Sequence, residues 1–140
     1  MKYVRPITQI LALLAMCYLL WLVHSVKKEV KKLKEIYTDT VTVTTYTTDP
    51  RQTDATPYIT ASGFKLNKKN PKKHRVVAVS RDIKKKLNFG DKIKILDAGE
   101  YSGIYVVEDL MNKRFKNRID ILLNPKDKPI LLKNIKIIKV

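Results

Sequence analysis

The sequence predicts a mainly β fold, a small domain of about six short strands preceded by one apolar helix at the N-terminus. Three observations carry this. Beyond residue 37 the chain is a succession of short runs rich in Val, Ile, Thr and Tyr, separated by Gly, Pro, Asn and Asp. Ahead of them Ile7 to Val26 is an unbroken uncharged stretch. The single cysteine, Cys17, lies inside that stretch, which excludes a disulfide framework and thiolate or zinc-thiolate chemistry. The remaining hundred or so residues must therefore bury a core of their own. Closing the strands into a barrel does so without leaving an exposed edge, although periodicity alone leaves a sandwich open.

Taken in order, residues 1–26 form a membrane anchor or signal segment, 27–37 a basic stalk, and 38–140 the β domain. Twenty helical residues rise about 30 Å, one hydrocarbon thickness, whereas a cleavable signal has about 7–15 apolar positions, so an uncleaved anchor is favoured. Val23-His24-Ser25 is the alternative cleavage site. Leu14-Ala15-Met16-Cys17 is a poor lipoprotein box, because Met16 is too large before the cysteine. In the stalk, Val26, Val30, Leu33 and Tyr37 recur at helical spacing, which reads either as an extension of the helix or as a solvated tether near anionic head groups. Five stalk lysines against Lys2 and Arg5 on the other side bias the following domain toward the cytoplasm.

The strands follow. Thr40 to Tyr46 alternates threonine with β-branched residues, and Asp49-Pro50 ends it. The connection from there to Lys73 is long enough to be functional rather than idle. His74 to Ser80 is the second strand, Arg81 to Leu87 one or two helical turns with Ser80 as N-cap, and Lys92 to Leu96 the third strand. Tyr101 to Val107 leads to Asp109, a strand around Asp120 follows, and Ile135 to Val140 is the last.

Chemistry in such a chain falls to its acids. His24 and His74 lie at the membrane edge and beyond a lysine run, in no arrangement for a triad or a zinc site, and Ser62 and Ser80 have no nearby base. Asp97 and Asp127 sit in turn sequences where aspartate serves the backbone. Asp82, Asp109 and Asp120 remain, without the tight spacing a metal site needs, and no cofactor is called for. Asp120 interrupts Ile119 and Ile121-Leu122-Leu123, a context that buries it in part. Burial and an anionic neighbour such as Asp109 both raise a carboxyl pKa, and a carboxyl kept protonated near neutrality can donate to a glycosidic oxygen. Read from the residues alone, an aspartate paired with Arg118, Arg114 or Lys116 is the preferred account.

The run Glu108 to Asp120 also resembles a known pattern. In the three-aspartate (3D) domain and the related membrane-bound lytic transglycosylase A, an Asp-Thr/Val-Gly-Gly-Ala-Ile-Lys-Gly-x-x-x-Asp run separates two acids by the eleven positions that separate Asp109 from Asp120. Leu110-Met111-Asn112-Lys113 replaces the Thr-Gly-Gly-Ala of that loop. Thr44-Thr45-Tyr46, Thr60-Ala61-Ser62-Gly63, Ala78-Val79-Ser80-Arg81-Asp82 and Phe89-Gly90-Asp91 follow the family's order upstream. The resemblance covers roughly residues 40 to 140 and implies a six-stranded double-psi β-barrel of the rare lipoprotein A-like superfamily. It implies a lytic transglycosylase that cleaves the bond between N-acetylmuramic acid and N-acetylglucosamine in peptidoglycan turnover, with Asp120 as acid and then base and Asp109 supporting it. The third acid of the family falls on Ser80 by position, with Asp82 two residues later. Tyr46, Thr60, Ser62, Gly63, Ser80 and Lys116 are the implied substrate contacts.

Two other functional classes stay beside this one. The same barrel serves elsewhere as a non-catalytic glycan-binding module, and the altered 110–113 loop is the feature that would mark lost activity. All 13 acidic residues and all but two of the 29 basic ones follow the apolar run, and such charge attracts any polyanion. Nucleic acid as the partner rests on that charge alone and is weakened by sparse aromatics that form no stacking platform. A peptidoglycan substrate places the domain in the periplasm or at the cell surface, against the lysine bias of the stalk.

Overall fold

The computed structural model describes residues 4–34, 38–53 and 55–140, which form two units, an N-terminal helix and a β-barrel. The helix, α1 (Val4–Lys34), is continuous through the apolar run and most of the stalk, so the helical spacing of Val26 and Val30 reflects an extension rather than a loose tether. Residues 35–37, which end the expected stalk, lie outside the described residues. Ile10, Leu13, Leu14, Leu20 and Trp21 are all exposed on α1. A helix apolar on every face suits hydrocarbon, and Pro6–Val30 is long and apolar enough to cross a membrane or to act as an export signal.

The second unit contains six strands, β1 (Thr38–Tyr46), β2 (Val76–Val79), β3 (Lys92–Ile95), β4 (Gly103–Leu110), β5 (Arg118–Leu122) and β6 (Leu131–Lys139), and a single-turn helix α2 (Arg81–Lys84). They close in the order β1-β5-β2-β4-β3-β6. The β1–β5 and β2–β4 pairs are parallel and the other four antiparallel, which makes a mixed barrel. Several edges differ from the sequence reading, β6 most of all, since it starts at Leu131 rather than Ile135, and two of them have local reasons. Pro71 opens a 3-10 turn through His74, and Arg75 then takes a left-handed conformation, so β2 starts at Val76. Tyr101 belongs to another 3-10 turn, so β4 starts at Gly103.

Alternation along the strands builds the core. Val41 and Val43, Val77 and Val79, Ile93 and Ile95, Ile119 and Ile121, and Ile137 point into the barrel and are essentially inaccessible. Residues of opposite parity make a second, smaller core outside the barrel wall. There Tyr46, Val76, Ala78 and Leu122 pack with Leu66, Met111, Tyr58 and Phe115. The long connection between β1 and β2 thus folds over the β1-β5-β2-β4 face, closed on itself by the backbone hydrogen bond from Leu66 to Tyr58 and a bridge between Ile59 and Lys65, and held to the wall by the Ser62 N–H on the Glu108 carbonyl. Between this flap and the wall lies a large depression.

Candidate active site

Register sets the floor of this depression. Ala78 of β2 is flanked by Asp109 of the parallel β4 on one side and Asp120 of the antiparallel β5 on the other, and Thr44 of β1 lies beyond Asp120. Adjacent strands are about 4.8 Å apart, so the two aspartate backbones stand about 10 Å apart on one face. Only a methyl group rises between them. β4 and β5 are consecutive in sequence but do not pair with each other; the two acids meet through β2.

Asp109 reaches this face because of a bulge. Tyr105 and Val107 point into the barrel, and strict alternation would send Asp109 after them into an apolar interior. Between Val77 and Ala78 the pairing on β4 skips from Val107 to Asp109, leaving Glu108 extra, and the parity of the strand inverts. Met111, two residues on, accordingly joins the outer core. The same residue fastens the flap: the Ser62 backbone N–H donates to the Glu108 carbonyl at 3.0 Å, and the Ser62 hydroxyl donates to the Glu108 carboxylate.

The two carboxylates have different surroundings. Asp109 Oδ1 accepts from the backbone N–H groups of Ala61 at 3.0 Å and Leu110 at 2.9 Å, and Oδ2 accepts from the Tyr46 hydroxyl at 2.9 Å. Burial first, then the neighbouring Asp109 carboxylate, pushes the Tyr46 phenol well up, so it keeps its proton and donates. Asp120 is partly buried with no ion pair among the described residues, and its Oδ1 has no hydrogen-bond partner. Burial raises its pKa above the usual carboxylate value and Asp109 adds to the rise, against the Thr44 hydroxyl and the Arg118 charge, which lower it. One acid is held by three donors; the other keeps one oxygen, Oδ1, buried without a hydrogen-bond partner at the edge of a cleft of about 730 Å³.

Of the residues expected from sequence, Tyr46, Asp109 and Asp120 line this cleft together. Asp82 and Ser80 do not. The Ser80 hydroxyl accepts from the Arg118 N–H at 3.1 Å, and Asp82 Oδ2 accepts from the Asn117 N–H at 2.8 Å, so both fasten the 117–118 turn to the start of α2. Desolvation is the largest single influence on the Asp82 carboxyl and raises its pKa, but hydrogen bonds from Ser80, Asn117 and the helix backbone together hold it below its ordinary value. Lys116 is exposed and outside the lining.

Thr60, Ser62 and Gly63 form the flap's turn rather than its inner wall, which comes from Ala61 and Ile59. The Thr60 and Ser62 hydroxyls are 2.9 Å apart, and the Phe64 N–H donates to Thr60 Oγ1 at 3.1 Å. Gly63 has φ +88° with open space where a side chain would begin. Its need is conformational, not steric. Gly63→Val is therefore expected to lower stability by about 1–2 kcal/mol, with any loss of function following in proportion, as thermal unfolding beside a ligand assay would show.

Residues not foreseen as site residues also line the cleft. Ala78 sets the gap between the acids, Ala61 supplies a donor to Asp109, and Arg51, Arg81 and Arg114 add positive charge. Glu108, which is outside the lining but turns Asp109 toward it, left a trace in the sequence as the acid that ends the apolar run Ile104 to Val107. Among the described residues no group of three His, Cys, Asp or Glu is placed to hold a metal ion. No protein-family model matches this chain, and neither does any curated protein.

Proposed function

We propose that the barrel is a lytic transglycosylase-like enzyme that cleaves the bond between N-acetylmuramic acid and N-acetylglucosamine in peptidoglycan, and that its strands follow the double-psi topology. The observation that carries this reading is the pairing at the cleft floor of a half-buried acid with a buried, unpartnered oxygen, Asp120, and an acid held by three donors, Asp109. The two parallel pairs between non-consecutive strands, β1–β5 and β2–β4, support the topology.

Asp120 enters the reaction protonated and gives its proton to the glycosidic oxygen as the bond to the muramyl anomeric carbon breaks. Its carboxylate then takes the proton of the muramyl 6-hydroxyl, whose oxygen bonds to that carbon. The acid is regenerated, no water is consumed, and the muramyl product is a 1,6-anhydro sugar. One acid is used twice, so a second carboxylate serving as nucleophile or base, as in the usual two-carboxylate schemes, is not required. The Asp109 carboxylate beside Asp120 favours the protonated form of Asp120.

Incubating the full chain in detergent with peptidoglycan and weighing the products tests this. Anhydro-muropeptides are expected. Reducing ends would indicate a hydrolase, and unchanged wall material that retains the protein would indicate a binding module.

The barrel then works outside the cytoplasm, in the periplasm or at the cell surface, tethered by α1. A reporter fused after Val140 is expected to be active only on the outer side of the membrane. Activity confined to the cytoplasm would remove both this placement and the cell-wall substrate.

A further inference from the structure

Three arginines line the cleft, and they are not equivalent. Arg51 is already neutralised: its Nη2 lies 2.6 Å from Asp49 Oδ2, and its Nε lies 3.1 Å from both oxygens of the same carboxylate. Arg81 directly follows Ser80, three residues beyond the Ala78 floor, and Arg114 stands in the β4–β5 connection with its guanidinium 4.8 Å from the centre of the Phe115 ring. Among the described residues neither guanidinium has an ion-pair or hydrogen-bond partner. Asp109 is committed to its three donors, so the lining offers these cations no free acid except Asp120. Two separate segments thus bring uncommitted planar forks to the edge of a single cleft. A guanidinium fork matches a carboxylate with two parallel N–H···O bonds, and stacking on an aromatic ring limits the orientations Arg114 has to give up on binding.

We propose that Arg81 and Arg114 are specificity-determining residues that bind carboxylate groups on the glycan, so that the site takes acidic strands in preference to neutral ones. This deepens the glycan-cleaving reading above and rests on it. The polymer recognised is a carboxylate-bearing aminosugar chain, and the same chain with its carboxyls converted to neutral amides is the matched comparison.

The test uses full-length protein in neutral detergent, carrying Asp120→Asn so that binding is measured without turnover. Its ligands are soluble glycan strands from peptidoglycan, native or with their carboxyls amidated with methylamine. Native strands are expected to bind about tenfold or more tightly than amidated ones, the effect of one or two charge-assisted hydrogen bonds. Adding R81Q and R114Q is expected to weaken native binding to the amidated level and leave amidated binding unchanged, which also shows that the variant is folded. Removing the same charge from the β5–β6 turn with K126Q and K128Q is expected to keep the preference. Equal binding of both strands by the Asp120→Asn protein would overturn the proposal while leaving the glycan reading in place. So would a preference abolished as fully by the lysine changes, which would trace it to net charge. Binding of neither strand, with no cleavage by wild type, would overturn both.

Discussion

Replacing Asp120 with Asn is expected to lower the release of anhydro-muropeptides about 10²–10⁴-fold, the usual contribution of a general acid–base group. Strand binding should survive, because Asn keeps the size and hydrogen-bonding capacity of the side chain and removes only the titrating proton. Stability should move the other way. The folded-state pKa of Asp120 is raised, chiefly by burial, so between the unfolded and folded values the folded chain holds more protons than the unfolded one. Stability therefore falls as pH rises through that window. Asn does not ionise, so the variant should melt at or above the wild-type temperature on the alkaline side and show a smaller loss as pH rises. Wild-type activity should fall along the same limb as the acid ionises. Near-native turnover by the Asn variant would refute the acid role, and a variant that melts earlier at every pH would refute the burial argument.

The barrel wall was legible because its information is local. Alternation in Thr40 to Tyr46, Lys92 to Leu96 and around Asp120 marks half-buried strands wherever it occurs, and the apolar run before Lys27 marks α1 by length alone. The partial burial of Asp120 was legible for the same reason, since isoleucines on both sides fix its parity. What was not legible depends on pairing between distant strands. Nothing in Val76-Val77-Ala78-Val79 reveals that its alanine will stand between two carboxylates; that follows from β2 sitting between β4 and β5. Asp109 is harder still, because its outward direction comes from one extra residue, Glu108, and alternation read through Tyr105 and Val107 gives the opposite answer. Asp82 was open on sequence alone, as the family's third acid or as a helix cap; in the fold its hydrogen bond to Asn117 fastens the turn that leads into β5.

Removing the charge of Asp109 is the second large effect, and it should separate electrostatic support from proton transfer. Asp109→Asn keeps an oxygen for the Ala61 and Leu110 N–H groups and a polar partner for the Tyr46 hydroxyl, so the flap should stay in place. The negative charge is lost. Because that charge contributes to raising the Asp120 pKa, the alkaline limb of the activity profile should shift to lower pH, with turnover at neutral pH falling about tenfold, less than for Asp120→Asn. Asp109→Ala should cost more, since it strands the buried Tyr46 hydroxyl and an Ala61 donor, and a buried unsatisfied group costs about 1–3 kcal/mol. Tyr46→Phe in the Ala background should recover part of that stability by removing the stranded hydroxyl, without restoring the pH profile. An alkaline limb that stays fixed in Asp109→Asn would mean that the two acids across Ala78 do not share a field, and Asp109 would then be only the anchor of the flap.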